Sequence, residues 1–197
     1  MEENTDTSIY RIQLMTLGDT KVGKTSILKR FNKEGFNYHL GTTIGLDYVS
    51  QMCDLGVSNI KPIQVKIWDT AGQERFHSVA KGFYQKCKGI FLVFDLTDRS
   101  TFSHIMKWLK NIQENADIRI SKYLIGNKSD LINERVVPDE EAKMVAKQYD
   151  MKYFETSAKN NENINESIIS MAREVFQKFG ASEIPNLIPS SHSTCNC

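Results

Sequence analysis

The chain has 197 residues, enough for one ordinary domain, and its 40% hydrophobic and 25% charged content is that of a globular protein with a buried core. A formal net charge of +1 provides no global field for nucleic acid or an anionic membrane. Four cysteines, Cys53, Cys87, Cys195 and Cys197, make no disulfide framework and fit a reducing compartment, and no apolar run approaches the roughly 18 residues of a membrane span.

Residues 1–8 are acidic and polar, unlike a signal peptide, and are expected to be a flexible N-terminus. Residues 9–180 read as one domain. Tyr10–Leu17 alternates as a strand and leads into a loop ending Gly-Lys-Thr; Thr25–Asn32 then reads as a helix. Ile44–Asp54 and Ile63–Asp69 read as strands around the turn-rich stretch LGVSNIKP. Gly89–Asp95 is a continuous apolar run, expected of a strand buried on both faces. Thr101–Glu114 carries Phe102, Ile105, Met106, Leu109 and Ile112 at helical spacing. Lys122–Gly126 reads as a short buried strand, and Asp139–Tyr149 as a helix that Asp139 caps after Pro138. Lys152–Glu155 reads as a last strand, and Glu162–Phe179 as a long helix ended by Gly180. Residues 181–197 form a Ser/Pro-containing tail expected to be disordered. This order predicts an α/β fold: three layers, a six-stranded mostly parallel sheet with helices on both faces. Ligands of such sheets sit beyond the carboxyl ends of the strands.

The first loop there, Gly18-Asp19-Thr20-Lys21-Val22-Gly23-Lys24-Thr25, matches the phosphate-binding pattern G-x-x-x-x-G-K-[ST] between a strand and a helix. Backbone N–H groups in such a turn form a nest for phosphate oxygens, and the helix N-terminus, through Ser26, adds favourable partial charge. Lys24 would reach the β- and γ-phosphates, and the Thr25 hydroxyl would bind Mg²⁺. A phosphate loop does not choose a base. Asn127-Lys128-Ser129-Asp130, after a buried strand, does: the Asp130 carboxylate accepts two side-by-side hydrogen bonds, which suits N1–H and the 2-amino group of guanine but not adenine. Asn127 can donate to the base and tie nearby loops, and the Lys128 stem can cover the ring. Taken alone, NKSD is a solvated charged turn; its place downstream of a phosphate loop gives it meaning.

These stretches, with Asp69-Thr70-Ala71-Gly72-Gln73-Glu74 and Glu155-Thr156-Ser157-Ala158-Lys159, occur in the order and spacing of the Ras superfamily of small GTPases, and the resemblance covers residues 9–179. IGLDY (44–48), IQVKIWD (63–69), AGQERF (71–76) and LVFDLT (92–97) resemble Rab proteins. The resemblance implies a P-loop NTPase G domain that binds GTP and GDP with Mg²⁺, hydrolyses GTP and acts as a switch in vesicle trafficking. Ser157, Ala158 and Lys159 would join the guanine site, the Ala158 N–H meeting O6, and Phe36 would pack on the base edge. Thr43 would ligate Mg²⁺ only with a γ-phosphate present, Asp69 would hold the metal through water, and Gly72 would donate its N–H to the γ-phosphate. Gln73 would orient the attacking water. No arginine resembles an arginine finger, so hydrolysis is expected to be slow without a GTPase-activating protein, and a nucleotide-exchange factor is implied as well. A scaffold that binds nucleotide but barely hydrolyses it, and an ATP-using P-loop enzyme such as a small kinase, are the alternatives.

Ile44, Tyr48, Trp68 and Phe83 resemble the residues by which Rab proteins meet effectors, although an aromatic cluster can also be plain core. Cys195 and Cys197 resemble a doubly geranylgeranylated Cys-x-Cys ending; metal binding or redox chemistry is the alternative. Two lipids would anchor a tail that has no Lys or Arg from Ala181 onward. A GDP-dissociation inhibitor or escort protein, a cytoplasmic location with cycling to the cytosolic face of an intracellular membrane, a monomeric state and no nucleic-acid partner complete the expectation. The chain departs from the pattern at Lys21, where most Rab proteins have a small residue, usually glycine, and at Leu40, where a tyrosine usually closes over the phosphates. Thr20 replaces the usual serine, and LGVSNIKP is about three residues longer than usual, which a surface loop tolerates.

Overall fold

The structure, a computed structural model, describes residues 10–37, 46–58, 60–70 and 82–183. Six strands form one sheet in the order β2-β3-β1-β4-β5-β6: β1 Arg11–Leu17, β2 Leu46–Cys53, β3 Ile63–Thr70, β4 Gly89–Asp95, β5 Ser121–Asn127 and β6 Lys152–Thr156. Only β2 runs antiparallel to its neighbour, pairing with β3 from Leu46↔Thr70 to Cys53↔Ile63. The chain leaves β1 to build one half of the sheet and returns on its other side with β4. That reversal opens a crevice at the carboxyl end of β1, where the phosphate loop begins.

Residue chemistry accounts for these strands. In β3, Ile63, Val65 and Ile67 are buried while Gln64, Lys66 and Trp68 on the other face are half-buried, the period-2 pattern of a strand with one covered face. Every residue of β4 is buried, as its unbroken apolar run predicts. The α-helices whose bounds fall wholly within the described residues are α1 Lys24–Phe31, α2 Arg99–Ser103, α3 Ile105–Asn115, α4 Asp139–Gln148 and α5 Ile164–Glu183. One core includes Leu14, Ile27, Phe31, Ile67, Met171 and Val175, and joins α1 and α5 to the sheet. The second includes Met15, Leu92, Phe94, Phe102, Leu109 and Ala142, and joins α2, α3 and α4 to it. Helices therefore cover both faces, as expected.

Four local expectations are corrected. The helix expected over Thr101–Glu114 is two helices. Asp98 caps α2 by accepting the Ser100 N–H at 2.9 Å, and the chain breaks at His104 before α3 starts. Within α2, the Ser103 hydroxyl donates to the Arg99 carbonyl at 3.1 Å, a back-bond that competes with the helix ladder. Asp139 is not the cap of α4. The extended Pro138 is, and Asp139 lies in the first turn, its carboxylate paired with Lys143. The long helix starts at Ile164 rather than Glu162, because Glu162 exchanges backbone hydrogen bonds with Ser157. It also does not end at Gly180 but continues to Glu183, since a glycine in a helix is tolerated at about 1 kcal/mol.

Candidate nucleotide-binding site

The phosphate loop is shaped by two glycines that nothing else can replace. A Cβ on Gly18 would sit 2.1 Å from the Val93 carbonyl oxygen, and one on Gly23 would sit 2.2 Å from Asn127 Nδ2. Gly23 caps α1 with φ 98°, and no side chain caps that helix end. The first N–H groups of α1 are thus left to the concavity of the loop. Lys21 also takes a left-handed φ of 67°, so the loop alternates hand as an anion-binding nest does. Val22 is buried beneath the loop, while Asp19, Thr20, Thr25 and Ser26 are half-buried and Lys21 is exposed.

Lys24 lies under this nest. Its Nζ donates to the Gly18 carbonyl at 2.9 Å and the Asp19 carbonyl at 2.7 Å. Burial disfavours its charge and brings the pKa down to about 8, although the carboxylates of Asp69 and Asp19 pull the other way. An anion seated in the loop would restore the favour to the charged form. At the end of β3 the Thr25 hydroxyl donates to Asp69 Oδ2 at 2.7 Å. The strand ends are held together there, Thr70 Oγ1 donating to the Thr16 carbonyl at 2.7 Å and Thr16 Oγ1 to the Trp68 carbonyl at 3.2 Å. A hydroxyl and a carboxylate side by side suit a hard cation such as Mg²⁺, which takes few protein ligands and completes its shell with water and phosphate oxygens. Among the described residues no cluster of three or more His, Cys, Asp or Glu side chains gathers to hold a metal.

Asn127 joins the two halves of the site. Its Nδ2 donates to the Val22 carbonyl at 2.9 Å, and its Oδ1 accepts from Thr156 Oγ1 at 3.2 Å and from the Ala158 N–H at 3.3 Å. The phosphate loop, the loop after β5 and the loop after β6 are therefore fastened at one buried side chain. Asp130 Oδ1 accepts the Ser157 hydroxyl at 2.7 Å, and Lys159 Nζ lies 4.0 Å from its other oxygen. The Lys128 ammonium pairs with the buried carboxylate of Asp95, which fixes the far end of its stem. Phe36 is half-buried against the first core cluster. Sequence reasoning missed Asp95 and Thr156 as supports. It also missed His104 and Trp108, whose ring nitrogens lie 2.5 and 2.9 Å from the carboxylate oxygens of Asp19.

Tyr48 and Trp68 face each other across β2 and β3 with ring centroids 5.2 Å apart, and Phe83 meets Trp68 at 4.7 Å. Lys66 Nζ stands 3.6 Å from the Tyr48 centroid and 4.0 Å from that of Trp68. Tyr48 is 51% exposed, whereas Phe83 also packs on the second core. Thr43, Ile44, Gly72, Gln73, Leu40, Cys195 and Cys197 lie outside the described residues.

Strand, phosphate loop and helix in this order at a sheet reversal define a P-loop nucleotide-binding protein. A sequence model of the Ras family matches residues 13–177. The chain is 40% identical over 175 residues to Ras-related protein RABE1e of Arabidopsis thaliana, covering 88% of this chain and 79% of that protein. It is 41% identical over 175 residues to Ras-related protein RAB1BV of Beta vulgaris, covering 88% and 80%, and 38% identical over 177 residues to Ras-related protein Rab-13 of Bos taurus, covering 90% and 86%. The chain belongs to the Ras family and is a Rab-type small GTPase, a GTP hydrolase.

Proposed function

We propose that this chain is a GTP/GDP switch whose GTP state recruits trafficking effectors, with the site described above holding the nucleotide. The observation that carries this reading is Asn127: one side chain bonds the phosphate loop and the two loops that would hold guanine. Backbone N–H groups of 18–25 bind the phosphates, Lys24 neutralises them, and Asp130 accepts the guanine N1–H and 2-amino group. Ala158 N–H and the Lys128 stem complete the base pocket, Phe36 closes its edge, and Ser157 and Lys159 hold Asp130 in place. Thr25, Asp69 and Thr43 hold Mg²⁺, which, when bound, neutralises charge on the phosphates. Thr43 and Gly72 contact the γ-phosphate, so their segments are held with GTP and released after hydrolysis. Gln73 orients the attacking water.

Partners follow from this cycle: an exchange factor, a GTPase-activating protein and effectors that meet Ile44, Tyr48, Trp68 and Phe83. Among the described residues no helix is long and apolar enough to cross a membrane. Two prenyl groups on Cys195 and Cys197 supply the anchor, and a GDP-dissociation inhibitor or escort protein carries the chain between the cytosol and an intracellular membrane. Competition for a fluorescent GDP analogue tests the base pocket. GDP and GTP are expected to displace it while ATP does not. Asp130→Asn is expected to weaken guanine and favour xanthine nucleotides, because an amide N–H matches the 2-oxo group. Equal displacement by ATP and GTP would overturn the assignment of Asp130.

A further inference from the structure

We propose that His104 and Trp108 are positioning residues that hold the Asp19 carboxylate away from the phosphate-binding concavity, leaving Lys24 free for phosphate. The inference rests on the site proposed above.

Asp19 is the only acidic residue in the loop 18–25. Its backbone touches the centre of the site, because its carbonyl accepts from Lys24 Nζ at 2.7 Å. Its carboxylate points elsewhere. Oδ2 lies 2.5 Å from His104 Nδ1 and Oδ1 lies 2.9 Å from Trp108 Nε1. A carboxylate oxygen only accepts, so the imidazole donates from Nδ1 and the indole donates from Nε1. Both oxygens are thus engaged by one helical surface, since residues four apart share a face. The break between α2 and α3 falls at His104, which is the cap residue of both helices. Trp108 is only 8% exposed and packs in the second core, so the indole is a fixed post rather than a mobile arm.

The consequence is electrostatic. A carboxylate released from this clamp is within one residue's reach of the Lys24 ammonium. Pairing there would neutralise the cation that a phosphate needs and set a negative charge against the incoming one. The carboxylate already acts on Lys24 from its clamped position, where it favours the charged form. The clamp lets that charge support Lys24 from a distance without competing for the place of the phosphate. It also makes the α2–α3 junction, whose His104 ring is largely exposed, a remote handle on nucleotide grip.

The test measures release of a fluorescent GDP analogue from the full chain with Mg²⁺ under a chase of unlabelled GDP. His104→Ala and Trp108→Phe are each expected to release it roughly three- to tenfold faster. His104→Gln, which keeps a donor, is expected to restore part of the loss. In an Asp19→Asn background, where no carboxylate remains to be misplaced, His104→Ala is expected to add nothing. Unchanged release in His104→Ala overturns the proposal. So does an acceleration that persists in full with Asp19→Asn, which would make the contact ordinary scaffolding. The ring of His104 is exposed, so that variant carries the test if Trp108→Phe does not fold. A wild-type chain that binds no guanine nucleotide would sink the proposed function itself, and this inference with it.

Discussion

Asn127 donates its side-chain N–H to the Val22 carbonyl at 2.9 Å, across 105 positions of sequence. Both residues are buried, so water is a poor substitute for this bond. Asn127→Ala would leave the Val22 carbonyl, the Thr156 hydroxyl and the Ala158 N–H short of a partner at once. A loss of about 1–3 kcal/mol is expected from such stranded groups. GDP affinity should fall together with the melting temperature, which calorimetry and a binding titration read separately. A variant that keeps its affinity would show that the three loops hold their places unaided.

Lys24 gives a stability prediction with a definite sign. Its pKa falls from 10.5 to about 8 because burial disfavours the ammonium. Between those values the unfolded chain binds more protons than the folded one, so stability of the nucleotide-free protein rises with pH across that window. Below the folded value the whole cost of burying a cation is present. Lys24→Met removes it. The nucleotide-free variant is expected to melt above wild type at neutral pH, by roughly 2–4 °C per kcal/mol recovered. The gap should close as pH climbs through the window, while GDP binding is lost throughout. A variant that melts lower than wild type at neutral pH would contradict this.

Lys21 holds a left-handed backbone, φ 67°, that costs a side chain roughly 1–2 kcal/mol and glycine nothing. Lys21→Gly is therefore expected to be more stable in denaturant titration, although glycine's freer unfolded chain takes back part of the gain. Its ammonium makes no hydrogen bond or ion pair among the described residues. GDP release and stimulated hydrolysis should both change when the cation goes. If neither does, the lysine has no part in the phosphate site.

Gln73→Leu is expected to bind GTP normally and hydrolyse it at least about tenfold more slowly in the presence of an activating protein, since the attacking water loses its orienting group. Single-turnover phosphate release decides this. An undiminished rate would move the water-positioning role to another residue.

The parts legible in the sequence were those that demand special residues or long patterns. Gly18 and Gly23 are written in the chain because a Cβ would collide with Val93 and Asn127. The apolar run of β4 is legible because burial on both faces leaves no room for a polar side chain. The break at His104 was not legible, because Phe102, Ile105, Leu109 and Ile112 keep helical spacing straight through it. The interruption accompanies a bond to Asp19, 85 positions away, that no local pattern records. Gly180 misled for the opposite reason: glycine after a periodic helix normally signals a stop, yet the backbone continues to Glu183. The sequence places Asn127-Lys128-Ser129-Asp130 after a buried strand, as the structure does, but the fastening of this loop to Asp95 and Val22 is a property of the folded chain alone.

Trp68 and Asp69 are consecutive residues of β3, and side chains alternate across a strand. The indole therefore faces the exposed aromatic surface while the carboxylate faces Thr25 on the opposite side. A single peptide unit is the lever arm between the exposed aromatic face and the carboxylate beside Thr25. A half-pleat displacement of that strand end would move the indole and the carboxylate together, with no relay between the two faces.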